Sequence, residues 1–580
     1  MDFSRIRKRN GRLAAFDITK ITKAVLAAGK DVGFGDEAWA EHLANTVLER
    51  IPKHEIPTVE GVQDIVEDVL IDSGHSKVAK AYILYRKRRA DERSARAAII
   101  GHVTDTKLTL SALKLLKARY LRRSPGGTVT EAPDDMFRRV ANFVAKADKK
   151  YGATDEQITE IADNFFEAMS NVKFLPNSPC LMNADSNNAQ LSSSVHIPLH
   201  DELTNIFAAM TQGAHVHQCG AGCGLNFSNI RHANASVKSL AGVAAGPIKF
   251  LHLFNSAFNV IKQGGRRQGG NMAILNANHP DIINFITAKT SHTALQNFNL
   301  SVGCSDNFLR AVVSDDSYDL LSPENKEVVA NMNARQVFDI IIATAWRSAD
   351  PGLLFLDRIE KDNPTPKLGP ITGVSPCAEH MIREYEMAFL GSINLSQFVK
   401  DEEPDWENLK NTVHLGVHFL DNCIDLNAYP LEKIKEESQK TRKIGLGIMG
   451  LAHLLVQCNK AYDSDEGRGL IGEVMKFIRK EADEASKNLA EKRNVFPAWE
   501  ESVYAQTNLK QKEPRKLRNA TRLSISPTGS ISIIANTSGG IEPLFSLSYV
   551  RRMHDGRELV YLDPHLKQAL RKENLDPDVW

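Results

Sequence analysis

The stretch "GVSPCAEHMIREYEMAFLGSINL" (373–395) sets one cysteine, Cys377, two positions before an acid, Glu379. A sulfur with a carboxylate in the same turn can work as a reactive centre with its own proton acceptor. The competing reading is a small buried thiol beside a surface acid. Three other stretches could handle an anion or a tightly held ligand. "SISPTGSISII" (524–534) interrupts an apolar run with Pro527, Thr528, Gly529 and Ser530, where hydroxyls and amides at a turn into a helix can cradle phosphate; an ordinary helix cap has the same composition. "KQGGRRQGGN" (262–271) combines four glycines with Arg266 and Arg267, which suits a mobile phosphate-gripping loop or a plain surface turn. "GAGCG" (220–224) lets backbone approach a ligand closely, or simply turns the chain.

Elements must hold these residues in place. Residues 4–93 read as a separate small helical module: a basic start, a turn at Asn10-Gly11, and a helix capped near Asp17 or Thr19 and stopped at Gly29. In the next helix Val59, Val62, Val66 and Val69 form an apolar stripe, and a third carries Val78, Ala81, Tyr82 and Tyr85 before the basic run "RKRR". Lysines and arginines at both ends could neutralise phosphates or form a solvated basic face. A mostly helical connector spans 96–170. From "KFLPNSPCLMNA" onward, short apolar runs, Gly-rich turns and helical stretches alternate, which argues for a large α/β domain over 171–580. The 580 residues are 42% hydrophobic and 25% charged with formal net charge +1, which argues against a nucleic-acid or membrane-surface binder. No apolar run spans a bilayer and no secretory leader opens the chain. Seven sparse cysteines fit a reducing compartment, so the expected location is cytoplasmic.

In order along the chain, "NSPCLMNA", "QLSSSVHIPLHDE", "GVAAGPIKFLHLFN", "VIKQGGRRQGGNMAIL", "HPDIINFI", "DPGLLFLDRIEKDNPTPKLG", "SPCAE", "LGSINL", "TRKIGLGIMG" and "SPTGSISIIANTSGGIEPLFSLSYVRR" resemble the large catalytic subunit of ribonucleotide reductase. "DNPTPKLG" and "TRKIGLGIMG" are most similar to its adenosylcobalamin-dependent class, and residues 1–95 resemble the ATP-cone regulatory domain. The resemblance implies a ten-stranded α/β barrel with a central finger loop, Cys377 at the loop tip as a thiyl radical, and Glu379 taking the proton of the ribose 3′ hydroxyl. It implies substrate contacts from Ser178, Ser193, Ser194 and Gly222, and a phosphate site from Pro527, Thr528, Gly529 and Ser530. Asp201, Arg231, Arg266 and Arg267 match the site where a deoxynucleoside triphosphate selects the substrate at a homodimer interface. Lys8, Arg9 and Lys20 match phosphate-binding positions for ATP or dATP in the ATP-cone. No metal site is implied.

The chain departs from the family pattern where the reductant belongs. The two redox cysteines are replaced by Ser194 and Ala388, and a serine hydroxyl cannot close a disulfide. Ser375 stands for the usual asparagine before the radical cysteine, and Ala378 for the usual glycine. The reductant is then external, as formate is in the anaerobic class, or relocated to Cys180, Cys219 or Cys223. Alternatively the chain carries out other radical chemistry on a nucleotide, or binds nucleotides as a regulatory homologue without turnover. The family's last barrel strand would follow Trp580, so a further segment or a second polypeptide is expected to complete the barrel.

Overall fold

The computed structural model describes residues 5–8, 13–52, 54–101, 108–237, 242–263, 267–290, 294–506, 513–552, 556, 558–573 and 575. They form two compact units, 1–134 and 135–580. In the first, a hairpin of Arg5–Arg7 and Leu13–Ala15 precedes helices Thr19–Asp31, Glu37–Arg50, Val59–Asp72, Ser76–Ile100 and Leu110–Arg119. Val62, Val66 and Val69 are buried as their spacing requires, against Ile21, Val25, Leu43 and Tyr82. The helix Glu37–Arg50 carries no strong periodic signal; the Asp36 carboxylate starts it by accepting the Trp39 amide at 2.9 Å. The helix Ser76–Ile100 does not stop before "RKRR" but runs through it. Arg86 of that run is bound by Asp64, Glu67 and Glu60 at 2.6, 2.8 and 2.9 Å, so this charge joins two helices and is already matched.

The second unit is built on one mixed sheet. Its strands are β1 (Phe174–Pro176), β2 (Ser194–Ile197), β3 (Gly222–Asn226), β4 (Asn271–Asn276), β5 (Phe298–Cys304), β6 (Gly352–Phe355), β7 (Met387–Asn394) and β8 (Ile444–Met449). Across the sheet the order is β6-β5-β4-β3-β2-β7-β8, with β1 also paired to β7. Strands β2 to β6 are mutually parallel, β2 meets β7 antiparallel, and β7 and β8 are parallel again. Among the described residues this is a half-barrel of α/β class, with eight strands of the ten-stranded barrel that the resemblance implies. One further extended segment lies along β8: Leu523 bridges Leu446, and the Leu446 amide donates to the Arg522 carbonyl at 2.8 Å.

Parallel neighbours need crossovers, and helices Leu203–Cys219, Pro247–Val260, Ala334–Ser348 and Trp406–Leu426 supply them. The last buries Leu409, Val413, Val417, Leu420 and Ile424 along one face. Its Gly416 allows a close approach to β8, because a Cβ there would lie 2.8 Å from Leu446 Cδ1. Every residue of β7 and β8 is buried, as expected for strands covered on both faces. Beside β8, fully buried Asp421 accepts from Arg442 Nε at 2.9 Å, Arg493 Nη1 at 2.9 Å and Asn519 Nδ2 at 3.0 Å. Burial alone would raise its pKa, but Arg442, Arg518 and Arg493 hold it below the ordinary range. That network fixes residues 519–524 against the sheet. Among the described residues no helix is long and apolar enough to cross a membrane.

Candidate active site

A narrow hairpin carries the Cys377–Glu379 pair. Gly373 pairs with Ile382 and Val374 with Met381, and residues 375–380 form the tip. The Ser375 amide donates to the His380 carbonyl at 3.0 Å, the Ala378 amide to the Ser375 carbonyl at 2.8 Å, and the His380 amide to Ser375 Oγ at 2.9 Å. Ser375 therefore organises the tip from inside. Ala378 takes a left-handed φ of 56°, where glycine is the unstrained choice. Cys377 is exposed, and its amide donates to Glu379 Oε2 at 2.9 Å. Burial raises the pKa of the Glu379 carboxyl above the usual value, against the opposing pull of the Ser375 hydroxyl and nearby amides.

The hairpin is anchored to the sheet on both sides. Gly224 of β3 meets it so closely that a Cβ would lie 2.0 Å from the Val374 carbonyl oxygen. His196 of β2 sits under Gly373, with Nδ1 3.0 Å from the Gly224 carbonyl and Nε2 3.2 Å from Thr372 Oγ1. Burial lowers the His196 pKa to about 4, so the ring is neutral. Asn226 donates to the Thr372 carbonyl at 2.9 Å and Asn299 of β5 to the Pro376 carbonyl at 2.8 Å. From the opposite side Ser524 Oγ donates to the Glu379 carbonyl at 2.7 Å, and His380 Nε2 meets Thr521 Oγ1 at 2.9 Å. Behind the loop, buried Glu386 accepts from Lys443 Nζ at 2.7 Å and Thr441 Oγ1 at 2.8 Å. Burial works against its charge, but Lys443 and Arg383 overcome that and lower its pKa.

Ser194 and Ala388 are register partners across the β2–β7 seam, and both are fully buried. Ser194 also pairs with Gly222 of β3, and its buried Oγ has no hydrogen-bond partner among the described residues. Ser193 Oγ donates to the Ala388 carbonyl at 3.2 Å, and Ser178 is buried at the start of the short helix Ser178–Asn183. The other thiols lie elsewhere. Gly224 faces the hairpin, so its neighbour Cys223 points to the opposite face of β3, where burial pushes its pKa far up. Cys180 faces the thiol of Cys423 on the helix Trp406–Leu426. Phe389 packs on Tyr429 just beyond that helix, so Ala388 faces the other side of β7. Cys219 is half-buried at the end of its helix. The Cys180–Cys423 pairing joins distant parts of the chain and left no signal in either local sequence.

Thr528, at φ 54°, is buried and its Oγ1 accepts the Gly540 amide at 2.8 Å, while Pro527 and Gly529 are exposed and Ser530 half-exposed. The helix after them, Ile531–Ala535, has five residues. Asp201 Oδ2 accepts from Arg231 Nε at 2.6 Å and Oδ1 from the Arg231 amide at 3.1 Å. Both line a cavity of about 580 Å³ together with Leu203, Val243, Phe250 and Glu324. Arg267 lies in a two-residue strand paired with Lys262–Gln263, and Arg266 falls outside the described residues. In the first unit Lys8 and Lys20 line a cavity of about 150 Å³ with Phe16, Ile21, Val62 and Tyr82, and Arg9 falls outside the described residues. A cavity of about 590 Å³ in the outer helical layer, lined by Asp148, His414, His418 and Arg493, shares no residue with the hairpin.

Residues 192–579 match the family profile of the ribonucleotide reductase barrel domain, 106–189 that of its all-alpha domain, and 4–91 that of the ATP cone domain. The chain is 39% identical to a vitamin B12-dependent ribonucleoside-diphosphate reductase of Thermoplasma acidophilum, over 97% of this chain and 80% of that one. It is 40% identical to a protein of the same description from Mycobacterium tuberculosis, over 98% of this chain and 80% of the other. A ribonucleoside-diphosphate reductase large subunit of vaccinia virus is 27% identical, over 82% of this chain and 67% of its own. With its fold, its central hairpin and this similarity running almost end to end, the chain belongs to the ribonucleotide reductase large-subunit family and carries an ATP cone at its N-terminus.

Proposed function

We propose that the chain reduces ribonucleoside diphosphates to 2′-deoxynucleotides by radical chemistry at Cys377. The observation that carries this reading is the exposed Cys377 held at the tip of an anchored hairpin, with the Glu379 carboxylate on its own amide at 2.9 Å. An exposed thiol at the loop tip suits a radical source delivered from outside the chain, and adenosylcobalamin, when bound, supplies a carbon-centred radical there. The Cys377 thiyl takes the hydrogen from C3′ of the ribose. Glu379 accepts the 3′ hydroxyl proton, and its raised pKa brings it closer to working pH, where a general base is most effective. The 2′ hydroxyl leaves as water, a reductant supplies two electrons and two protons, and Cys377 then returns its hydrogen to C3′, which restores the thiyl.

Ser194 and Ala388 cannot supply those electrons, because neither side chain forms a disulfide. Cys223 points to the face of β3 away from the hairpin and Cys180 is turned toward Cys423, which favours a reductant that enters with the substrate. The buried, unpartnered Ser194 hydroxyl equally favours a second reading, a different radical reaction on the same nucleotide. An anaerobic turnover assay with adenosylcobalamin, ribonucleotide and effector, with dithiol and formate in separate tubes, separates the two. Deoxynucleotide in the formate tube supports the external reductant, and a different nucleotide product in either tube supports the second reading. Cys377→Ala must abolish both; activity that survives it sinks the radical proposal.

Nucleotide effectors belong to two further sites in this reading. ATP or dATP occupies the cavity beside Lys8 and Lys20, and Lys20→Ala should weaken ATP binding; unchanged binding would reject that assignment. A deoxynucleoside triphosphate binds near Asp201, Arg231 and the 262–268 loop at a homodimer interface. Leu203, Phe207, Leu253 and Val260 are exposed on the two neighbouring helices, which supports that interface. Leu203→Glu should sediment as a monomer, and a persisting dimer would rule this face out.

A further inference from the structure

The turn at Pro527–Ser530, read above as the substrate phosphate site, lacks charge of its own. The amides of Gly529, Ser530 and Ile531 donate to no protein group among the described residues. They are three consecutive donors, suited to an anion. The five-residue helix behind them offers little dipole against two phosphate charges, and no lysine or arginine lies within residues 523–540.

A distant strand brings a cation to this turn. In the hairpin of Ser548–Arg552 with Glu558–Leu562, Arg551 projects over the turn, and its Nη1 donates to the Gly529 carbonyl at 3.3 Å. Its Nη2 lies 3.8 Å from where a Gly529 Cβ would stand. Arg551 is exposed, and no carboxylate lies within ion-pair distance among the described residues. Its neighbour Arg552, on the other face of the strand, is paired with Glu558 at 2.9 Å. One arginine of the pair is neutralised, and the one above the turn has, among the described residues, a single carbonyl as its partner.

We infer that Arg551 is a phosphate ligand of the substrate site, supplying the charge that the Pro527–Ser530 turn lacks. The inference rests on the reading of that turn as the phosphate site. A guanidinium with one weak carbonyl contact keeps most of its donors for phosphate oxygens, which it can grip bidentately.

The arm that carries Arg551 is locked to the turn through one buried histidine. Asp563, which ends the hairpin, accepts the His565 and Leu566 amides on Oδ1 at 2.9 and 3.0 Å, and His453 Nε2–H on Oδ2 at 2.7 Å. The Ser538 amide can only donate, so His453 Nδ1 is its acceptor at 3.2 Å; Thr537 Oγ1, which donates to Ser396 Oγ at 3.3 Å, lies 3.0 Å from the same nitrogen. Two residues on, the Gly540 amide binds Thr528 Oγ1. His453 thus ties the arm and the turn together, and His453 and Asp563 are positioning residues for Arg551.

The test is equilibrium binding of CDP and of cytidine to the full chain, with ATP binding and thermal melting as checks that each variant folds. Arg551→Gln is expected to weaken CDP by about ten- to a hundredfold, leave cytidine unchanged and flatten the salt dependence, because a charge-assisted contact is lost. Arg551→Lys should recover part of the loss. Asp563→Asn should weaken CDP in the same sense while cytidine holds; equal weakening of both ligands would reject its positioning role. If Arg551→Gln binds CDP as the wild type does while Thr528→Ala/Ser530→Ala weakens it, Arg551 is not a ligand, although the turn still is. If neither set of changes affects CDP, the turn is not the phosphate site and the inference falls with it.

Discussion

Gly224→Ala tests whether the position of the Cys377 thiol, the proposed radical site, is set by backbone contact between β3 and the hairpin. The new Cβ would lie 2.0 Å from the Val374 carbonyl oxygen and 3.2 Å from its carbon, and both are main-chain atoms. Gly224 is pinned on one side by His196 of β2 and on the other by Met272 of β4, so the sheet cannot yield. The hairpin must retreat by about 1.5 Å to restore an ordinary contact. Overpacking of this kind costs about 1–3 kcal/mol of stability. Cys377 is only three residues beyond Val374, and misplacing a reacting group by about 1 Å costs roughly a hundredfold in rate. Turnover should therefore fall by about two orders of magnitude, while ATP binding to the N-terminal unit is unchanged. Gly270→Ala is the control: its Cβ would meet Pro376 Cβ at 3.8 Å, an ordinary contact, and should change stability by less than about 0.5 kcal/mol. Anaerobic turnover and thermal melting of both variants decide the matter. Wild-type turnover by Gly224→Ala, or equal damage from Gly270→Ala, would show that this contact does not set the position of the thiol.

Three further outcomes are expected. Burial raises the Glu379 pKa above its ordinary 4.5, so the folded chain keeps that proton to higher pH than the unfolded chain and loses stability as pH rises through the raised value. Glu379→Gln should accordingly be inactive yet more stable than wild type at pH 7, with the gain gone below about pH 4.5; denaturant titrations showing no gain at pH 7 would contradict this. Ser194→Cys/Ala388→Cys places two thiols at directly opposed positions of an antiparallel pair, about 4.5–5.5 Å apart at Cα and within disulfide range; the double variant should close a disulfide on mild oxidation and gain dithiol-driven turnover, and two persistent thiols would show that the seam is misread. Asp421→Ala leaves Arg442, Arg493 and Asn519 short of a buried partner and should cost about 3 kcal/mol or more in chemical denaturation, with a loss under 1 kcal/mol counting against the network.

The parts of the fold legible in sequence are those where a local pattern and the tertiary environment agree. The valine stripe of Val59–Asp72 became a buried helix face because period and packing coincide. The Cys377–Glu379 pair was legible because both residues sit in one turn, so their proximity needs no long-range contact. "RKRR" read as a basic end because sequence gives charge but not partners; Glu60, Asp64 and Glu67 lie on another helix and neutralise Arg86. The helix Glu37–Arg50 carried only a weak pattern, and half of its buried side is alanine. The Asp421 cluster, the Cys180–Cys423 contact and the His453–Asp563 link all join segments far apart in the chain. Such contacts leave no periodicity, so no window of sequence contains them.

The same distinction explains how the hairpin tolerates its unusual residues. Alanine at φ 56° costs about 1–2 kcal/mol more than a glycine would, so the tip of Ser375–His380 would relax if it stood alone. It does not stand alone. The Pro376 carbonyl is held by Asn299, the Glu379 carbonyl by Ser524, and the two ends of the tip by the paired amide and hydroxyl of Ser375. These contacts come from β5, from the segment beside β8 and from within the loop, so no single displacement releases them together. Ser375 takes part in this by bonding the His380 amide and the Glu379 carboxyl, two groups that set where the carboxylate lies relative to Cys377. The strain at Ala378 is therefore carried by the barrel, and the sulfur and its carboxylate keep their places although Ser375, two positions before the cysteine, and Ala378, next to it, both depart from the resemblance's pattern.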